Sequence, residues 1–327
     1  MTETLPSSLY GGAEQLARER EGVFRTSWLV AAHVSQLSKP HSYVALDCVG
    51  FPILIVRDGD GIRGFHNVCP HRAGPLAYDG EGTASSLVCR YHGWVYETDG
   101  SLRSARDFGE PGPAPDCRLF DVRTETWRGL VFVNVDGNAP PLREALGGFA
   151  DETEGFDLEA MRPAGEWHHD LECNWKTYAE NYLEGYHIPL VHRELARTID
   201  VPRYEVVARE NWCLHRAPTK EGTVLDGRWM WRWPNLALNL YADSMNLEQF
   251  VPLDPAHTRV SYRYFSKDGT LDEEVSRLSK LLLSEDAAIC EAVQRNLDAG
   301  VYVRGVLSPK HEQGVALFQR LIAAATS

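Results

Sequence analysis

No apolar run reaches the roughly 18 residues that a membrane-crossing helix needs, so the chain is not expected to span a membrane. The opening stretch, Met1 to Gln15, is largely polar and has no apolar core of the signal-peptide type, which argues against secretion. Basic residues are in deficit: 33 Lys and Arg against 46 Asp and Glu leave a formal charge of −13. Phosphate backbones demand the opposite sign, so nucleic acid is excluded as a partner. Cysteine is sparse and odd in number, seven in all, and the informative ones neighbour histidines, a usage that points to the cytoplasm. Cys48, Cys117, Cys173, Cys213 and Cys290 read as small buried apolar residues. Internal repeats and low-complexity segments are absent. A length of 327 residues suits two domains.

A nicotinamide site is lacking too. Gly59-Asp60-Gly61-Ile62-Arg63-Gly64 satisfies G-x-G-x-x-G, but Phe65 to Val68 continues as a strand where a dinucleotide site needs a helix N-terminus facing the pyrophosphate. The motif predicts a hairpin turn. There is no flavin motif and no C-x4-C-x2-C of the plant-ferredoxin kind.

What the chain does have is Cys69-Pro70-His71-Arg72 and, with seventeen residues between His71 and the second cysteine, Cys89-Arg90-Tyr91-His92-Gly93-Trp94. Each hook follows a strand-like run, Ile62 to Val68 and Ser86 to Val88, which predicts two hairpin tips facing each other. Two thiolates and two imidazoles fit a structural zinc or a [2Fe-2S] cluster with one iron on the cysteines and the other on the histidines. Zinc knuckles usually keep cysteines and histidines apart, whereas each tip here offers one of each.

From Trp28 to Val135 short strands (Tyr43–Cys48, Ile53–Arg57, Ile62–Val68, Trp94–Glu97, Trp127–Val135) alternate with Gly/Asp turns, which predicts a small all-β domain over residues 28–138. Pro111 to Cys117 reads as a rigid loop able to lie over the tips. Residues 1–27, with a charged helix from 13 to 26, form an N-terminal segment packed on the second domain. Residues 139–327 read as α+β: a helical stretch around Leu142 to Phe149, alternating strands from Tyr204 to Tyr264, and a long helix from Leu271 to Ala299 opened by a Thr270-x-x-Glu273 capping box.

The second informative stretch runs from Asn174 to His192. On a helix, Glu180, Glu184 and His187 share one face and Trp175, Tyr178, Tyr182 and Tyr186 the other; alone, that is an amphipathic helix with a wet polar face. Pro189 breaks it and returns His192 towards His187. On the closing helix Val275, Leu278, Leu282, Ile289 and Val293 form an apolar stripe with Asp286 in its middle. A core-facing carboxylate must be paired, with an arginine such as Arg277 or Arg320, or metal-bound. With His187 and His192, Asp286 completes the two-histidine, one-carboxylate set of non-haem Fe(II) oxygenases, which leaves positions open for O2 and substrate.

The C-P-H-R and C-x-Y-H-G-W words, followed by N-W-K, E-N, E-x-x-H-x4-H and the late Glu285-Asp286 pair, resemble the α-subunits of Rieske non-haem iron oxygenases from about Trp28 to Gly300. The resemblance implies an N-terminal Rieske [2Fe-2S] domain with Cys69, His71, Cys89 and His92 as ligands, and a helix-grip catalytic domain with Fe(II) on His187, His192 and Asp286. It implies catalytic roles around Glu180, Asn181 and Glu184, the last where the family usually has an aspartate bridging an iron-ligand histidine to a neighbouring subunit's cluster histidine. Glutamate there is a feature of the branch that oxidises quaternary ammonium compounds. It further implies a homotrimer, O2 as oxidant, and electrons from NAD(P)H through a separate flavin or iron-sulfur reductase.

Trp229, Trp231 and Trp233 alternate along one strand, with Trp212 and Tyr241 near. The stripe reads either as packing against the closing helix or as an aromatic cage for a trimethylammonium head. The expected function is hydroxylation or oxidative demethylation of a small quaternary ammonium compound of betaine, choline or carnitine type. The alternatives are hydroxylation of an aromatic ring or side chain and, from another class, a Rieske electron carrier or a zinc-stapled binding module.

Overall fold

The computed structural model describes residues 2–220 and 227–327. It divides into two compact units, Phe24–Leu146 on one side and Met1–Val23 with Gly147–Ser327 on the other.

The Phe24–Leu146 unit is built on a seven-stranded antiparallel sheet in the order Trp28–His33, Leu130–Asn134, Asp121–Trp127, Gly61–His66, Phe51–Asp58, Ser42–Cys48, Gly80–Thr83. A second sheet joins Leu87–Val88, Val95–Tyr96 and Leu102–Ser104. The run expected as one strand from Trp127 to Val135 is in fact the end of a hairpin. Arg128 and Gly129 turn it at φ 48° and 87°, and two left-handed residues give the twist that suits paired strands. The G-x-G-x-x-G motif is likewise a hairpin, with Asp58 opposite Gly61. A Cβ on Gly64 would lie 2.1 Å from Thr124 Oγ1, so this glycine admits a neighbouring strand. Leu54, Val56, Phe65, Leu87 and Tyr96 form the core, and Cys69 and Cys89 sit within it.

The larger unit carries a second seven-stranded antiparallel sheet, in the order Arg162–Leu171, Thr258–Ser266, Ser244–Pro252, Leu236–Leu240, Arg228–Arg232, Trp212–Arg216, Glu205–Ala208. Part of the alternation expected between Tyr204 and Tyr264 falls on residues 221–226, outside the described residues. The long helix is Glu273–Asp298, and its N-cap is Asp272, whose carboxylate accepts from the amides of Glu274 and Val275. Thr270 is no cap, since its hydroxyl donates to Asp268. A C-terminal helix, Gln313–Ala325, buries Val315, Phe318 and Ile322.

The stripe expected on the long helix holds only in its first half. Ile289 and Val293 are about 40% exposed, at 41% and 40%, because beyond Asp286 the helix approaches Trp175–Tyr182 through Ala287, Cys290 and Gln294. Gln294 accepts from the amide of Asn174.

The N-terminal helix is Ala13–Glu19, continued by a π turn at Arg20–Phe24. It is less solvated than its charges suggested. Glu19 and Lys176 form a fully buried ion pair of 2.6 Å, and Trp175 Nε1 donates to the same carboxylate at 2.7 Å. Removing either charge would strand the other, at a cost of about 3–5 kcal/mol.

Candidate metal centres and the cavity beside one of them

The two Cys/His hooks are closed alike. Cys69 N donates to Gly74 O and Ala73 N to Cys69 O; Cys89 N donates to Trp94 O and Gly93 N to Cys89 O. Each hook reverses through a left-handed residue four places after its cysteine, Ala73 at φ 55° and Gly93 at φ 72°. Buried Asn67 fastens the first hook, accepting from Leu76 N and Ala77 N and donating to Ala77 O. Arg90 N donates to Pro75 O and ties one hook to the other.

The arrangement brings the two imidazoles together and sets the two thiols beside each other. The rings of His71 and His92 lie 4.7 Å apart, and His71 stacks on Trp94 at 4.6 Å. Both cysteines are buried and free. Both Nδ1 atoms are buried without a hydrogen-bond partner, a costly state unless a ligand takes them. A Cβ at residue 74 would come within 2.9 Å of Cys89 Sγ, so Gly74 leaves the thiolate clear. Tyr96 OH lies 3.1 Å from Cys69 Sγ. Burial raises the Cys69 thiol above its ordinary value, with the Tyr96 hydroxyl pulling the other way; bound iron would supply the charge that deprotonates it. These features fit a [2Fe-2S] group. The ring that meets His71 and Trp94 edge-on is Phe108, just ahead of the Pro111 to Cys117 loop expected there.

In the larger unit the helix Trp175–Tyr182 starts at Asn174, whose side chain accepts from Lys176 N. It stops at Tyr182, earlier than the periodicity suggested. Glu184 and His187 therefore lie in the following turn, and Pro189 occupies the first turn of a short helix, Ile188–Val191, that delivers His192. The structure gathers His187, His192 and Asp286 with one ligand atom from each within 4.8 Å of the others. Nε2 of His192 is 3.0 Å from Asp286 Oδ1 and Nε2 of His187 is 3.6 Å from it. Glu184 Oε1 meets His187 Nδ1 at 2.5 Å and Glu285 Oε2 meets His192 Nδ1 at 2.8 Å. Each carboxylate fixes the tautomer that turns Nε2 inward as a donor, the usual support of a metal-binding histidine. Asn181 Nδ2 donates to Asp286 Oδ1 at 2.7 Å. Burial lowers the pKa of His192, but Asp286 and Glu285 outweigh it and the net direction is upward. Arg277 pairs with Glu274 and Glu194, leaving Asp286 to the histidines.

Glu180 is not brought to the triad. Its buried carboxylate accepts from Tyr10 OH at 2.6 Å and Gln319 Nε2 at 3.0 Å, and burial pushes its pKa up to about 7.

A cavity of about 150 Å³ opens beside the triad, a volume that accommodates one benzene-sized ligand. Its floor is a cross-strand row, His215, Trp229, Asn239 and Asn246 in register, bordered by Glu248 opposite Tyr262. Of the five aromatic residues expected here only Trp229 and Tyr241 arrive, joined by a 3.2 Å hydrogen bond. Trp231, two residues further along the same strand face, and Trp233, beyond the strand end, pack on Phe318. Trp212 points the other way, against Gly148 and Phe149. Burial pushes Glu248 up to about 7, where Tyr178 OH donates to it at 2.7 Å. Burial also holds His215 near 3, hence neutral.

The family model of the Rieske [2Fe-2S] domain matches residues 27–117, and that of the ring-hydroxylating alpha subunit catalytic domain matches 158–210 and 204–327. The chain belongs to the Rieske oxygenase α-subunit family. The carnitine monooxygenase oxygenase subunit of Acinetobacter baumannii is 30% identical over 98% of this chain and 94% of that protein. The chloroplastic choline monooxygenase of Spinacia oleracea is 29% identical over 96% and 76%. A solved quaternary ammonium Rieske monooxygenase, described for carnitine oxidation by gut microbiota and inter-subunit electron transfer, superposes with a TM-score of 0.89 at 28% identity over 100% of this chain and 96% of that one.

As a Rieske oxygenase α-subunit the chain is an oxidoreductase, and the readings as zinc-stapled module or bare electron carrier give way. Both donor sets fit their groups, a [2Fe-2S] cluster and a mononuclear iron. Sequence reasoning missed Glu248 and the support given by Glu285. Glu285 was visible only as half of the Glu285-Asp286 pair. Glu248 sits two residues from both Asn246 and Phe250 on an inward face, where a charge breaks the pattern.

Proposed function

We propose that this α-subunit oxidises a small quaternary ammonium compound, by hydroxylation or oxidative demethylation, with O2 and with electrons passed from NAD(P)H by a separate reductase. The observation that carries the reading is the cavity itself. Tyr178, Tyr182, Trp229, Tyr241 and Tyr262 wall it beside the triad, and aromatic faces attract an alkylammonium by about 0.5–2 kcal/mol per contact. The names of the similar proteins support it, being carnitine, choline and quaternary ammonium monooxygenases.

Cys69, His71, Cys89 and His92 would hold the cluster, and His187, His192 and Asp286 the mononuclear iron. When bound, the cluster supplies single electrons and the ferrous iron supplies O2 activation. The chain's own residues set the stage. Glu184 and Glu285 keep a proton on Nδ1 of each histidine, Asn181 fixes the rotamer of Asp286, and Leu278, Leu282 and Ile199 shield the cavity from water.

The working form in this reading is a homotrimer in the cytoplasm. Glu184 lines the triad cavity and also an outer cleft of about 390 Å³ bordered by Ile289, Val293 and Val306, which suits docking of a second copy's cluster-bearing unit. No described helix is long and apolar enough to cross a membrane.

The test is O2 and NADH consumption with a surrogate reductase over choline, betaines, carnitine and aromatic acids. Stimulation by ammonium compounds is expected; stimulation by arenes alone contradicts the reading. Mixed trimers of Cys89→Ser and Asp286→Ala chains should regain activity, and failure to do so contradicts transfer between subunits.

A further inference from the structure

The cavity beside the triad is lined by three carboxyl groups. Two belong to the triad and its support, Asp286 and Glu184. The third, Glu248, is 3% exposed and receives tyrosine hydroxyls, yet no described lysine or arginine pairs with it. No lysine or arginine lines the cavity among the described residues, and the sequence of residues 221–226 contains neither. The nearby histidine outside the triad, His215, is neutral. On the same floor Asn246 Oδ1 is buried without a hydrogen-bond partner, a second acceptor in want of positive charge or a donor.

We propose that Glu248 makes this cavity a receptor for an organic cation bearing no carboxylate, a quaternary ammonium alcohol or simple alkylammonium, and that it turns zwitterionic betaines away. The proposal rests on reading the cavity as an ammonium-oxidising site and narrows that reading to one charge class. A buried carboxylate without a counter-charge is costly, which is why burial raises Glu248 towards its neutral form; a ligand cation favours the ionised form while the aromatic walls meet its methyl groups. Apart from the iron proposed on the triad, a substrate carboxylate would find no lysine or arginine among the described lining residues and would lie in a space already carrying Glu248. A site that leaves a buried charged group unpaired rejects such a ligand strongly.

The test is calorimetric binding to the iron-loaded enzyme under anaerobic conditions with four probes. They are choline, its neutral carbon isostere 3,3-dimethylbutan-1-ol, glycine betaine and L-carnitine. Choline is expected to bind at least about 10-fold more tightly than each of the other three. Glu248→Gln should weaken choline by roughly 10- to 100-fold and leave the neutral isostere unchanged. Glycine betaine or carnitine binding as tightly as choline overturns the proposal while leaving the ammonium reading intact, as does a folded Glu248→Gln protein that keeps its affinity for choline. Binding of an arene with no response to any ammonium compound overturns both. Should Glu248→Gln fail to fold, the ranking of the four probes on the unaltered enzyme decides.

Discussion

At the β-hairpin tips His71 and His92 are set by turns and by aromatic rings, and no described carboxylate hydrogen-bonds with either imidazole. At the triad His187 and His192 each lean on a glutamate, and their shared carboxylate is held by Asn181. In the proposed reading the first site would offer two thiolates to its cluster and need only a rigid cage. The second would offer one carboxylate and two neutral rings to a dication that must keep open positions, so its ligands would need outside support to stay basic and in place. Charge supplied by the ligands replaces charge supplied around them.

If the two sites are independent in this way, the largest effects come from removing one ligand at a time. Asp286→Ala should bring turnover below detection and leave the reduced EPR signal of the cluster intact. Cys89→Ser should abolish both that signal and turnover while the mononuclear iron still binds. Loss of the cluster signal in Asp286→Ala would break the comparison. Next comes the support itself: Glu285→Gln should weaken mononuclear iron binding by about 10- to 100-fold in a chelator competition and leave the cluster untouched.

A third effect separates the helix behind the triad from the triad. Glu180 titrates ordinarily at 4.5 and is raised to about 7 by burial. Its neutral form is therefore the stable buried one, and stability is lost as pH rises through the window from about 4.5 to about 7, by up to ~3 kcal/mol at full ionisation. Glu180→Gln keeps an acceptor for Tyr10 and cannot ionise, so it should raise the melting temperature at pH 8 and change it little at pH 4.5. An equal shift at both values contradicts this account. The smallest effect is at the tips. Tyr96→Phe deletes the hydroxyl beside Cys69 Sγ, and should lower the cluster's reduction potential by an amount equivalent to about 1 kcal/mol, measured by redox titration.

What was legible in the sequence follows the same division. The tips could be read directly, because ligands spaced two and three residues apart on short hooks leave little conformational choice. The triad was found through its one anomaly, a carboxylate on an apolar stripe, although the helix around His187 ends at Tyr182 and the stripe fails at Ile289. The reason is tertiary: Cys290 and Gln294 meet the Trp175–Tyr182 helix, and such packing is invisible in periodicity. The cavity was least legible. Three tryptophans at alternate positions look equivalent, yet cross-strand register gives Trp229 to the cavity and Trp231 to the Phe318 core. The acidic wall at Glu248 depends on pairing between strands that no local pattern reveals. Glu19, read only as part of a charged helix, is buried with Lys176, which lies more than a hundred and fifty residues away in sequence and beside it in space.

The central claim is that one chain carries two iron sites of different construction. Iron, zinc and acid-labile sulfide should be quantified per chain, with Mössbauer spectra of the reduced protein. The account predicts about three irons, two sulfides and no zinc, with one high-spin ferrous component apart from the cluster. Zinc on Cys69 and Cys89, or an iron content that stops at two, would contradict it.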